Sequence, residues 1–549
     1  MRIGNIKTYS NTSFKNANIN INAFSDTHGE LCLANNALEE MRLRQKDIFL
    51  PRQKGNANIT AICGDWFMDG SRTGYLSNPT QENGIFQLKI FNKFIEQLKQ
   101  IAPNNITLFT PGNHDFDGGV NLLSRIFQDI NAQIIMSNLD FENSPAFEKS
   151  IIEEKLVSQK IIEVDDDKNP DLKHKILFLG ISPVNLVSYQ KDLEGVTLID
   201  NKDKGQVSVQ REDYERTLDY CKNKIKEFKD ENPKGIVILM SHTGVNFADN
   251  LARESTVNLI FDGHEHKEDI RVVNNTPIIP LSQNFKRIAN TQIKIDDNGK
   301  IDTTNIKLFY PLTNKVKGPL YSLYHQLFKQ DINPSFSIQT QNPNLEFLST
   351  KNIRCSNNFL ANFITDSVLE EIQKIDPSVD FLAINSSSIR RSLRCSKEKS
   401  ISNFDILNVL SGLKEEDGQI VTTKVSGKEL AFFVLDNIMF NDKAPAKNPL
   451  IQYSGLIIDR AKMFELAEMN APLKDYTSCI INAKTNEPIS PDKEYTIANT
   501  IKYFNKSPNP QIKEYKKVSK QFGYSVHELF KKHFIESDGT LFAKCDVRI

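Results

Sequence analysis

Five hundred and forty-nine residues exceed one ordinary domain, and at roughly 100–200 residues per domain the chain predicts two to four. Sixty-eight Lys and Arg stand against 69 Asp and Glu, a formal net charge of −1, which argues against a generally basic nucleic-acid binder and a polybasic membrane anchor. Hydrophobic residues at 39% and charged residues at 25% fit a globular chain rather than a disordered one, and no apolar run approaches the roughly 18–20 residues of a membrane helix.

Met1 to Asn20 has basic residues but no apolar core of a signal peptide and no lipidation motif. The expectation is a cytoplasmic protein, or an exported one whose export signal is missing from this chain. The seven cysteines are odd in number, scattered and free of any CxxC pair, which predicts reduced, mostly buried thiols.

The first 300 or so residues alternate apolar runs with amphipathic stretches. Ile19–Ser25, Ile59–Cys63, Ile106–Thr110, Ile176–Ile181, Ile236–Met240 and Leu259–Phe261 read as buried strands. Between them, Leu88, Phe91, Ile95 and Leu98, and again Tyr214, Leu218, Cys221, Ile225 and Phe228, recur at helical spacing. The alternation predicts a layered α/β domain. Leu312 to Lys329 has helical character. Asp331 to Asn344 is polar with two prolines and reads as an irregular connection. A second domain opens with a helical stripe of Phe359, Phe363, Ile364, Val368 and Ile372. The expected division is residues 1–312, a linker over 313–348, and residues 349–549.

The chemistry lies just beyond the strands. In order, the strand ends run into Asp26-Thr27-His28-Gly29, Gly64-Asp65-Trp66-Phe67-Met68-Asp69-Gly70, Gly112-Asn113-His114-Asp115-Phe116-Asp117, Ser241-His242-Thr243 and Asp262-Gly263-His264-Glu265-His266. Each alone has a bland reading: an Asp-x-His is commonly a surface turn, a Gly-Asp a turn, and a lone His a satisfied core residue. Together they are five ordered motifs at strand ends, where α/β sheets bind ligands. Asp, Asn and His offer oxygen and imidazole ligands without cysteine, which suits Mn, Zn, Fe or Co rather than a structural zinc site. So many ligands exceed one tetrahedral ion and suit two ions sharing a carboxylate. Such a pair clamps a phosphoryl group and acidifies a water.

This ordered set resembles the calcineurin-like metallophosphoesterases. With its second domain, the whole chain looks like the 5′-nucleotidase / 2′,3′-cyclic-nucleotide phosphodiesterase / UDP-sugar hydrolase family. Gly112 to Gly119, GNHDFDGG, is close to the family's GNHEFDxG signature, and Ser137-Asn138-Leu139 resembles the strand end that comes after it. The resemblance implies a four-layer α/β/β/α catalytic domain and a smaller mixed α/β C-terminal domain. It implies that Asp26, His28, Asp65 and His266 hold one divalent metal ion and that Asp65, Asn113, His242 and His264 hold the other. It also implies that His114, oriented by Asp115, faces the substrate; Asp115 as a turn cap is the other reading.

In the second half, Asn358 to Asp366 looks like the opening helix of the family's C-terminal domain. Asn385-Ser386-Ser387-Ser388-Ile389-Arg390 resembles its NGGGIR loop, with serines for glycines. The resemblance makes Asn385 and Arg390 substrate-binding residues, with Arg394 one helical turn later; the alternative is a solvated basic face. Two departures concern the aromatic rings that grip a base in the family. Asn408 to Leu413 reads NVLSGL and Phe504 to Gln511 reads FNKSPNPQ, neither of which matches. Phe522 and Tyr524 come later in the chain.

The expected function is hydrolysis of nucleotide phosphate esters (5′-mononucleotides, cyclic nucleotides or nucleotide sugars) by metal-hydroxide attack. The partner is a small phosphate ester, with no nucleic-acid polymer and no membrane span. The alternatives are a hydrolase of non-nucleotide phosphate or sulfur esters, and a non-catalytic binding protein on the same fold.

Overall fold

The structure, a computed structural model, describes residues 17–28, 31–67, 83–169, 171–184, 186, 195–199, 210–267, 269–296, 298, 300–311, 318–320, 322–323, 334–340, 347–390, 392–394, 401–402, 409–410, 413, 417–443, 449–507, 509–537 and 540–543. The chain divides into two compact units, Met1–Leu327 and Phe328–Ile549.

The first unit is built on two sheets. One runs through β1 (Ala17–Phe24), β2 (Asn56–Cys63), β3 (Asn105–Thr110), β4 (Gln133–Ile135) and β5 (Leu156–Val157), all parallel. The other contains β6 (Gln159–Asp165), β7 (Lys173–Ile181), β8 (Ile236–Ser241), β9 (Leu259–Asp262), β10 (Arg271–Val273) and β11 (Thr276–Pro280). Its four central strands, β7, β8, β9 and β11, are parallel. Antiparallel strands β12 (Ile288–Ile295) and β13 (Ile301–Phe309) extend the first sheet beyond β1. All six strands read from the sequence are present, most of them with a residue or more added.

Alternation in β1 explains the layers. Ala17, Ile19, Ile21 and Ala23 pack against Ile176, Phe178, Ile238 and Met240 of the other sheet in one buried cluster. The even residues face the other way, where Phe24 meets Phe94 of α2 (Asn83–Ile101), with α1 (Leu31–Leu43) preceding it in the chain. On the far face of the second sheet, Leu177, Leu179 and Val237 pack on α4 (Gln210–Glu231) and α5 (Val245–Glu254); α3 is Gly119–Asp129. The result is the α/β/β/α order expected. Leu88, Phe91, Ile95 and Leu98 are buried, as are Leu218, Cys221, Ile225 and Phe228.

The second unit has a five-stranded sheet in the order β20 (Ile451–Ser454), β16 (Phe381–Asn385), β21 (Glu494–Thr500), β19 (Gln419–Ser426), β22 (Lys520–Ser525). Helices α6 (Phe359–Ile375) and α8 (Val526–Glu536) share one core with its Leu382, Ile384 and Ile420. α7 (Gly427–Lys443) packs on the opposite face through Leu430 and Val434. In α6 the expected stripe is buried at Phe363, Ile364, Val368 and Ile372, but Phe359 is exposed and Leu360 takes its place inside.

The segment read as an irregular connection contains a strand. β14 (Pro334–Thr340) lies between β18 (Ile401–Ser402) and β23 (Thr540–Ala543), with Ile338 buried. Its proline occupies the first strand position, which a ladder tolerates. β15 (Phe347–Leu348) pairs with β17 (Leu393–Arg394). Most of the helical stretch expected over Leu312 to Lys329 lies outside the described residues. Among the described cysteines Cys63, Cys221 and Cys479 are buried and Cys355 is exposed, all unpaired. No helix among the described residues is long and apolar enough to cross a membrane.

Candidate metal centre

The parallel strands β1, β2 and β3 of one sheet, and β8 and β9 of the other, end in the five motifs. The chain turns sharply there. Asp26, His28, Asp65, His264 and His266 all have left-handed backbones, with φ of 54°, 49°, 54°, 76° and 55°. Side chains other than glycine pay of order 1 kcal/mol for this geometry, and Asp, Asn and His tolerate it best. Glycine at 112 is a matter of space: a Cβ there would run into the Asp65 carboxylate and lie 2.7 Å from His242 Nε2.

The side chains converge. His266 Nε2 is 3.0 Å from Asp26 Oδ1. His28 Nε2 is 3.5 Å from Asp65 Oδ2 and 3.9 Å from Asp26 Oδ1. His242 Nε2 is 3.1 Å from Asp65 Oδ2 and 3.7 Å from Asp26 Oδ1. Asp26 with His28 and His266, Asp26 with Asp65 and His242, and His28 with Asp65 and His114 each bring ligand atoms within 4.8 Å of one another. Asn113 and His264 face each other, Oδ1 to Nδ1, at 3.0 Å. The His264 ring stands 5.3 Å from that of His242, and its backbone N–H donates to Asp26 Oδ2 at 3.1 Å.

This arrangement fits cations. His242 donates from Nδ1 to the Cys63 carbonyl at 2.6 Å, which turns Nε2 toward the carboxylates. That Nε2 is buried, with Asp65 Oδ2 its nearest carboxylate oxygen. Burial alone would raise both carboxyls. The neighbouring imidazoles, His242 foremost, together outweigh it, holding Asp26 at about 2 and Asp65 well below the usual carboxylate range. Burial lowers His242, but Asp65 and Asp26 together lift it to about 10. Burial pushes His28 and His264 down to about 4, leaving both neutral and ready as ligands. Two buried carboxylates with one charged imidazole, that of His242, between them call for further positive charge.

Asp115 does not orient His114. Its Oδ2 accepts from the backbone N–H groups of Asp65 and Gly112, and its Oδ1 from that of Phe67, each at 2.7 Å. The His114 imidazole is held instead by Asp117, Nδ1 to Oδ2, at 2.8 Å. The reason is local. His114–Phe116 is one turn of 3₁₀ helix, in which side chains three apart lie over each other and adjacent ones diverge. Asp117 was missed; its spacing of three from His114 was the available signal. Burial and the neighbouring Asp65 act to raise the Asp115 carboxyl, against the pull of its N–H donors. Met68, Asp69 and Gly70, and Gly29, lie outside the described residues.

In the second unit, Asn385 Oδ1 accepts from Ser387 N at 2.9 Å and caps the turn Ser386–Ser388. The half-buried Arg390 is tied by its backbone N–H to the Val409 carbonyl at 2.8 Å. The expected helical turn from Arg390 to Arg394 is not formed. Ile389 is already extended and Leu393–Arg394 is a strand, so the spacing of four carries no shared helical face. The Arg394 side chain lies outside the described residues. Val409, Leu410 and Leu413 are core residues, and Phe504 is fully buried. Phe522 and Tyr524 lie on β22 with ring centroids 6.2 Å apart, Tyr524 exposed.

Comparison with known proteins agrees with this geometry. The calcineurin-like phosphoesterase family model matches residues 19–268, and that family uses divalent metals. The chain is 23% identical over 303 residues to the trifunctional nucleotide phosphoesterase protein YfkN of Bacillus subtilis (strain 168). The match takes in 52% of this chain and 18% of that protein, so the chain spans under a fifth of this curated relative. The 5′-nucleotidase precursor from Thermus thermophilus shares the fold with a TM-score of 0.67 at 14% identity, over 97% of this chain and 99% of that one. The sulfate thiohydrolase SoxB of the same species has a TM-score of 0.61 at 13% identity, over 98% and 97%. Both units therefore have counterparts in one known fold, a metallophosphoesterase domain followed by a second C-terminal domain.

Proposed function

We propose that this chain is a two-metal phosphoester hydrolase acting on small phosphate esters, nucleotides foremost. The observation that carries this reading is the convergence of the buried His242 Nε2, 3.1 Å from Asp65 Oδ2 and 3.7 Å from Asp26 Oδ1, with His28 and His266 on the same two carboxylates. Asp26, His28, Asp65 and His266 would hold one divalent ion, and Asp65, Asn113, His242 and His264 the other, with Asp65 shared. Ions held there supply positive charge to a phosphoryl group and acidify a water.

The chain's own residues do the rest. Cys63 fixes the His242 tautomer through its carbonyl. Asp117 fixes His114 through Nδ1, which gives Nε2 the task of donating to an oxygen that gains charge as the ester bond breaks. The nucleotide preference rests on the similarity to the nucleotide phosphoesterase and the 5′-nucleotidase precursor.

One observation favours a second reading, a non-nucleotide phosphate or sulfur ester. In the two segments expected to carry a base-gripping ring, Val409, Leu410 and Leu413 are aliphatic core and Phe504 is sealed inside. The test is a panel of nucleotides, simple phosphate esters and sulfur esters, with purified protein, added Mn²⁺, an EDTA control and Asp65→Asn. Metal-dependent phosphate release from nucleotides supports the first reading. Turnover of only the other esters replaces it with the second. Turnover unchanged in Asp65→Asn would overturn the assigned site.

A further inference from the structure

We propose that Asp115 is a positioning residue that sets the spacing of the metal ligands by sewing two loops together. The inference rests on the metal-centre reading above.

Three N–H groups from two loops end on this one carboxylate. Asp65 N and Phe67 N belong to the loop after β2; Gly112 N belongs to the loop after β3. Asp65 and Asn113, one ligand from each loop, are thereby tied through a single side chain. The stitch is reciprocal. Asp65 Oδ1 accepts from His114 N at 2.8 Å, so each loop's carboxylate binds the other loop's backbone. This differs from an ordinary turn cap, which satisfies N–H groups of its own segment only. Asp115 is also buried, 4% exposed, so water does not substitute for it.

The chemistry of the side chain makes the claim sharp. Asp115 Oδ2 takes two N–H donors and Oδ1 takes the third. A carboxylate accepts at both oxygens, whereas an amide presents its own N–H₂ at one of them. Asparagine therefore faces donor against donor in either orientation. The loops must then separate, and with them Asp65 and Asn113. Glutamate keeps both acceptors on a longer stem.

The experiment uses the full chain with Mn²⁺ as probe, read by calorimetric affinity and stoichiometry and by electron paramagnetic resonance, beside thermal unfolding of the metal-free protein. Wild type is expected to bind two ions with the spectrum of a magnetically coupled pair. Asp115→Asn is expected to weaken binding about 10–100-fold and to replace the coupled spectrum with that of isolated ions. Asp115→Glu is expected to restore the coupled spectrum. If Asp115→Asn does not fold, Asp115→Glu decides: a folded variant without the coupled spectrum overturns the proposal. An Asp115→Asn protein that binds two coupled ions as tightly as wild type also overturns it while leaving the metal centre standing. A folded wild type that binds no Mn²⁺ removes both.

Discussion

His114 Nδ1 donates to Asp117 Oδ2 across 2.8 Å, so the first residue of a single 3₁₀ turn is braced by the residue just past its end. The carboxylate is 5% exposed and the imidazole 23%, which puts the brace inside and leaves part of the ring at the surface. His114→Ala is expected to lower kcat by about 10²–10⁴-fold with Mn²⁺ stoichiometry unchanged. Asp117→Asn is expected to lower kcat by a smaller factor, because the ring loses the carboxylate that accepts from its Nδ1. Steady-state kinetics beside calorimetry check both.

Removing metal should cost stability as well as activity. A ligand that binds only the folded state adds about 2.7 kcal/mol at a hundredfold excess over Kd. EDTA-treated protein is expected to unfold at lower temperature, with Mn²⁺ restoring the midpoint. His242→Ala should show little restoration, since it deletes the nitrogen lying 3.1 Å from Asp65 Oδ2. Calorimetric scans with and without Mn²⁺ are the check; equal gains in the two proteins would contradict it.

Gly112→Ala tests the packing of the centre. The added Cβ meets the Asp65 carboxylate and the His242 ring. Overpacking of this kind costs about 1–3 kcal/mol. Denaturant unfolding should show that loss, and metal affinity should fall with it.

The second unit supplies a pH prediction. Burial pushes His527 down to about 4, with Nε2 3.3 Å from the Leu410 carbonyl. The folded chain therefore keeps this ring neutral where the unfolded chain, near 6.5, takes up a proton. Stability from this residue is complete above about pH 6.5 and is lost as pH falls toward 4, by at most about 3 kcal/mol. His527→Gln should flatten that part of the stability–pH curve, measured by denaturant midpoint.

The legible part of the sequence is the part that the chemistry constrains. Asp26, His28, Asp65, His242 and His266 are of residue types that ligate metals and stand at strand ends, and both properties can be read locally. The partner of His114 could not be chosen without the turn: Asp115 and Asp117 are the same residue type two positions apart, and only the 3₁₀ geometry separates them. The helical turn expected from Arg390 to Arg394 was unreadable for the same reason, because a spacing of four means proximity only in a helix and Leu393–Arg394 is a strand. Pro334–Thr340 was hidden by its proline and polar residues. Its pairing with Thr540–Ala543 lies some two hundred residues away, beyond the reach of a local pattern.

The left-handed backbones at Asp26, His28, Asp65, His264 and His266 set the folding interest of the chain against its chemistry. In backbone strain alone each of these sites would sit more comfortably as glycine, which bears such angles without steric cost. Variants selected for thermal resilience alone, with no metal present, should drift toward glycine at these positions. They would be recovered as improved proteins, having shed the candidate ligands one by one.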